Sequence, residues 1–225
     1  MAIAPTASIS IICGGTSACI EPIPANIYTH KTLSGSFAVK NPFLEKLLIE
    51  KAKNSDAVWN SILEQGGSVQ HLDFLSPDEA VAKAMALAAE HQQTVVIADT
   101  QDNPGAGGDS NTTGMLKALH AAQAQNAAIG LITDPQVVQL ALQAGVGNRF
   151  TAALGGQSGV AGDTALTAEF VVEAVCDGKC RYDGPMMHGV EANVGSTVRL
   201  GLGGIQIVVS SGKAQMLDRN LFKMA

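Results

Sequence analysis

The densest run of chemically able side chains in this 225-residue chain is Asp99-Thr100-Gln101-Asp102-Asn103-Pro104-Gly105-Ala106-Gly107-Gly108-Asp109-Ser110-Asn111-Thr112-Thr113. Its aspartates offer hard oxygen donors or a general base, and its glycines let the backbone approach a ligand closely. A P-loop would need Lys after the glycines, a dinucleotide fingerprint would need a third Gly where Ser110 stands, and an EF-hand would need Gly where Pro104 stands. Two readings remain open on spacing alone. The run is a ligand loop, or Asp109 or Ser110 caps the next helix while Asp102-Asn103-Pro104-Gly105 makes a turn.

Ser210 and Ser211 close a strand-like run that starts at Ile205, where they would face the same crevice as Asp99 and Asp102. They lack the G-x-S-x-G elbow of a catalytic serine, so hydrogen bonding to substrate or backbone is the expected use and no catalytic residue is assigned. His30, His71, His91, His120 and His188 are scattered and H-E-x-x-H is absent. His30 and His71 with Asp73 or Glu45 form a minor alternative metal set. Cys13, Cys19, Cys176 and Cys180 show no C-x-x-C zinc spacing and read as free thiols.

The elements that must position these residues follow from periodicity. Ser8–Ile12 reads as a strand. Asn41-Pro42 opens a helix through Leu48, a second covers Asp56–Gln65, and Ser76-Pro77-Asp78-Glu79 starts a third that runs to His91. Thr94–Ala98 is a continuous apolar run, the pattern of a strand covered on both faces. A helix over Asn111–Gln123, a strand over Ala127–Ile132 and a helix capped by Asp134-Pro135 continue a strand-helix rhythm. From Phe150 onward the period is two, with strands at 150–154, 166–176, 179–182, 197–202 and 205–210, and tight turns at Asp177-Gly178 and Gly203-Gly204. The expected fold is α/β with a mixed sheet, a βαβ portion followed by an antiparallel strand-rich portion. The expected division is a segment 1–75 without an assigned role and a domain 76–225.

Composition narrows the function classes. With 46% apolar and 15% charged residues the chain folds rather than staying disordered. A net charge of −6 argues against nucleic acid as partner, and 4% aromatics leave little for a stacking platform. No run reaches the roughly 20 apolar residues of a membrane span. No Lys or Arg precedes Lys31, so the N-terminus does not read as a signal peptide, and a cytoplasmic location is expected.

The blocks ADTQDNPGAGGDSNTTGMLKAL, LITDPQVVQLALQAGVG, GPMMHG, VGSTVRLGLGGIQIVVSS and AQMLD, in this order over roughly Ser76 to Phe222, resemble the C-terminal domain of the microcystinase C (MlrC) family. The resemblance implies a zinc metallopeptidase of linear peptides, whose metal ligands are expected in a long N-terminal domain. Residues 1–75 do not resemble that domain. It implies a substrate-supporting role, with Asp99, Asp102, Asn103, Gly105, Gly107, Gly108, Asp109, Ser210 and Ser211 facing a peptide. It also implies no metal held tightly by this chain alone, little activity in isolation, and a separate metallopeptidase domain as a partner. The other reading is a non-catalytic peptide- or anion-binding module using the 99–113 loop. Apolar surface left uncovered would favour a homo-oligomer.

Overall fold

A computed structural model describes residues 25–32, 35–67, 69, 71–72, 76–99, 102–160 and 162–225. The chain divides into two compact units, Met1–Ser76 and Pro77–Ala225. The strand expected at Ser8–Ile12 lies outside the described residues.

In the first unit, β1 (Ile27–Thr32) and β2 (Gly35–Lys40) form an antiparallel hairpin in register from Ile27↔Lys40 to Thr32↔Gly35. The sequence gives little sign of it, because its apolar residues are few and β2 is mostly exposed. Helix α1 (Pro42–Glu50) starts where Asn41 Oδ1 accepts the N–H groups of Phe43 and Leu44, with proline in the first turn. Ser55 caps α2 (Asp56–Glu64). Leu44, Leu48, Trp59 and Ile62 then converge with Ile27 and Leu72 on a small core. The Trp59 indole N–H donates to Asn54 Oδ1 at 2.7 Å, so its one polar atom is satisfied.

The second unit opens with α3 (Pro77–His91) and continues with a 3-10 turn (Pro104–Ala106) and α4 (Gly114–Ala121). Next come β3 (Ala127–Thr133), α5 (Pro135–Ala144), β4 (Arg149–Leu154) and β5 (Leu166–Cys176). Strands β6 (Lys179–Arg181), β7 (Glu191–Asn193), β8 (Thr197–Leu202) and β9 (Ile205–Ser210) lead to α6 (Asn220–Lys223). Five strands form one mixed sheet in the order β3-β9-β8-β5-β4, with β3 parallel to β9 and the other pairs antiparallel. Alternation along β9 sends Ile205, Ile207 and Val209 to the main core with α4 and α5, and Val208 to a second core with Tyr182 and Leu221.

Three expectations fail in particular ways. Thr94–Ala98 is not a buried strand: it has no secondary structure and lies outside the sheet, with Val96 85% exposed. An apolar run fixes the composition of a strand but not its pairing partner. Helix α4 starts at Gly114 rather than Asn111, because Asn111–Thr113 spend their hydrogen bonds on the loops around them. Asp177-Gly178 does not join a β5–β6 hairpin, since β6 pairs with β7 and β5 with β4 and β8. Gly178 is instead pressed, at φ +71, against the backbone carbonyl of Gly195, where no Cβ fits. The turn at Gly203-Gly204 does join β8 to β9, pairing Leu202 with Ile205.

Candidate functional site at the carboxyl ends of strands three and nine

The 102–113 loop is organised by Asp102. Its Oδ1 accepts the N–H of Asp109 at 2.6 Å, and its Oδ2 accepts those of Asn111 at 2.5 Å and Thr112 at 2.9 Å. Burial works to raise the carboxyl pKa, but the donors of Asn111, Thr112, Asp109 and Ser110 together outweigh it and hold the group below its ordinary value. Gly108 lets this fold close: a Cβ there would stand 2.6 Å from the Asp102 carbonyl carbon. Asn103 Oδ1 accepts Gly105 N–H at 2.9 Å, capping the 3-10 turn, which ends in left-handed Gly107 at φ +96.

The loop is then sewn to the sheet. Ser110 Oγ donates to Leu131 O at 2.6 Å, and Thr133 N–H donates to Ser110 O at 2.7 Å. Asn111 Nδ2 donates to Thr133 O at 2.6 Å, while Asn111 Oδ1 accepts Gln157 N–H at 2.5 Å. Asp163 Oδ1 accepts both the N–H and the Oγ1 hydroxyl of Thr113. Asp134 caps α5 through Val137 N–H and holds Gly155 N–H with its other oxygen. The sequence marks Asp134 only as a cap, and Asn111 and Asp163 carry no local signal, because their side-chain partners lie 22 to 50 residues away.

The expected site residues separate into two kinds. Asp102, Asn103 and Gly108 build the loop. Ser210 is buried, and its hydroxyl donates to Gly212 O at 2.8 Å, next to Asp134 N–H, which donates to Ser210 O. Ser211 is partly exposed, with its N–H on Ser196 O. On the outside, Asp99, Gly105, Gly107 and Asp109 are exposed. Asp109 pairs with Lys213 at 3.3 Å, and the side chain of Gln215 lies against Gly105. Thus Ser210 pairs with Thr133, whose strand the loop bonds, whereas Ser211 lies against Ser196 and Gly195. Thr133 Oγ1, Ser158 Oγ and Asp163 Oδ2, in the same group of loops and strand ends, are buried with no protein hydrogen-bond partner.

Among the described residues no three His, Cys, Asp or Glu side chains are grouped to hold a metal ion. His71 Nε2 is instead 3.0 Å from Ser61 Oγ, and His188 Nδ1 is 3.1 Å from Asp183 O; Asp73 and the side chain of His30 lie outside the described residues. Asp218 is also structural: it accepts the N–H groups of Asn220, Asp183 and Gly184, which lower its pKa. That contact joins the AQMLD and GPMMHG blocks. Two surface hollows, of about 520 and 490 Å³, lie away from the loop, beside the β8–β9 turn and on the β6–β7 ribbon.

Comparison with known proteins gives different results for the two parts of the chain. Residues 1–102 match the family described as ribonucleotide reductase, barrel domain, which gives the 1–75 segment a likeness that its sequence did not suggest by itself. The large subunit of ribonucleoside-diphosphate reductase from Invertebrate iridescent virus 6 is 42% identical over 104 residues, 45% of this chain and 11% of that protein. The subunit from Invertebrate iridescent virus 3 is 49% identical over 81 residues, 35% of this chain and 13% of that protein. The chain therefore spans about a tenth of the length of these curated relatives. A crystal structure of a metallopeptidase candidate from Mesorhizobium sp. BNC1 shares the fold, with TM-score 0.54 and 23% identity over 60% of this chain and 27% of that one. The remaining match, to the family described as MlrC C-terminus, begins at residue 97 rather than at Ser76 and covers the loop, the whole sheet and α6. Through residues 97–225, more than half its length, the chain belongs to the MlrC C-terminus family.

Proposed function

We propose that residues 97–225 are the substrate-supporting part of a microcystinase-like zinc metallopeptidase that hydrolyses linear peptides. The observation that carries this reading is the placement of the Asp102-locked loop at the carboxyl ends of β3 and β9, where open α/β sheets bind ligands. Exposed Gly105 and Gly107, whose N–H groups are bonded within the turn, offer backbone carbonyls to an extended peptide.

The described donors do not fit a zinc ion. Asp102 is spent on backbone N–H groups and Asp109 on Lys213, so no step is routed through a metal on these residues. On this reading the metal-binding part is a separate domain, the chain alone turns over no peptide, and the location is cytoplasmic, in keeping with the free thiols of Cys176 and Cys180. No helix among the described residues is long and apolar enough to cross a membrane.

The second reading, a module that binds peptides or anions without chemistry, differs in its ligand. Carboxylates already occupy the N–H groups of Asn111, Thr112 and Thr113, which favours a peptide over an anion. The test is elemental analysis of the purified chain after zinc exposure, with titration of a linear peptide followed by NMR. The supporting-domain reading expects no retained zinc, saturable shifts within 102–113 and no cleavage. About one zinc per chain, lost in Asp99→Ala, or cleavage by the chain alone, would overturn it.

A further inference from the structure

Thr94-Val95-Val96-Ile97-Ala98 combines two features that conflict in an exposed segment: β-branched apolar composition and solvent contact, with Val95 36%, Val96 85% and Ile97 38% exposed. β3 presents the complementary feature. Among the described residues it ends the sheet order and pairs with β9 alone, and its Ala128 is exposed. Ala127 N–H donates to Gly204 O beside β9, so alternation turns the Ala128 N–H toward the free edge.

The loop fixes how the two would meet. Ala98 stands four residues before Asp102, so it stays within about 14 Å of that anchor. Beyond Asp102, Ser110 and Asn111 already bond the far end of the same β3 edge, at Leu131 and Thr133. The chain then passes through α4 and returns to the start of β3. A strand laid on the free edge by this route runs parallel to β3, since strand, crossover helix and strand in one sheet give that direction. We propose that Thr94–Ala98 docks as a further strand on the free edge of β3, drawing Asp99 in beside Ser110 and closing the candidate site. This inference concerns residues 94–133 alone and does not depend on the peptidase reading.

Hydrogen exchange on the full 225-residue chain, at several protein concentrations, tests it. Docking slows exchange at the alternate amides of Val95–Ala98 that face β3 and at Ala128 by about tenfold or more relative to free chain, independently of concentration. Val96→Pro, which lacks the N–H and lies at an exposed position, abolishes the slowing at both places, whereas Val96→Thr keeps it. Free-chain exchange at Val95–Ala98 would overturn the proposal. Protection that grows with concentration, alongside a dimer in light scattering, would overturn it in favour of a second copy on the same edge.

Discussion

Asp134 and Gly155 are 21 residues apart, yet one carboxylate oxygen of the first accepts the N–H of the second at 3.0 Å, while the other oxygen caps α5 at Val137. Asp134 is fully buried, so this side chain joins the end of β3, the start of α5 and the end of β4 without help from water. Asp134→Ala removes a cap and leaves a buried N–H unpaired, and is expected to lower stability by about 2–4 kcal/mol. Asp134→Asn keeps one acceptor and should lose less. Urea unfolding followed by circular dichroism measures both, and an alanine effect under about 0.5 kcal/mol would show the junction to be unimportant.

Asp102 gives a pH dependence of definite sign. Its folded pKa lies below the ordinary 3.8, so the folded state favours the carboxylate. That contribution is fully present above the unfolded value and is lost as pH falls from there through the lower, folded value. Acid unfolding of the wild type should therefore steepen below about pH 4. Asp102→Asn should flatten this limb and lower neutral-pH stability by about 1–3 kcal/mol. Equal acid limbs in the two proteins would sink the assignment.

Local chemistry made much of the second unit legible. Leu166–Cys176, Thr197–Leu202 and Ile205–Ser210 are rich in β-branched and apolar residues and form strands with the expected bounds, and Asp134-Pro135 announces α5 by its cap alone. The candidate loop was visible as glycines and aspartates, but not which aspartate would face inward. That choice depends on donors at Asn111 and Thr112, supplied only when the chain turns back on itself. Thr94–Ala98 misleads for the opposite reason: its composition suits a strand, but it carries no strand pairing in the sheet. It lies at the seam where the reductase-like match ends and the MlrC match begins.

Cys180 should react sluggishly with alkylating reagents at neutral pH. Burial, then the charge of Asp218 and then Cys176, push the Cys180 thiol above its ordinary 9.0. Iodoacetamide labelling followed by peptide mass spectrometry across pH should give a Cys180 midpoint above that value. Asp218→Asn removes the second cause only, so the midpoint should fall while staying above 9.0. A midpoint below the ordinary value in the wild type would contradict the partly buried setting of Cys180 against the second core.

Trp59 is the only tryptophan in the chain and lies wholly in the core of the first unit, with Lys40 Nζ 4.8 Å from its ring centroid. Phe170 is fully buried in the main core of the second unit, its ring centroid 6.0 Å from that of Phe150. The two aromatics therefore report on different cores. Phe170→Ala should destabilise the second unit by about 3–5 kcal/mol, through lost transfer energy and the cavity left behind. Circular dichroism, dominated by the larger sheet, should then lose its transition at lower denaturant while Trp59 fluorescence keeps its wild-type midpoint. A matching shift in fluorescence would mean that the two units unfold as one cooperative body, and that the short reductase-like segment draws its stability from the MlrC-type domain.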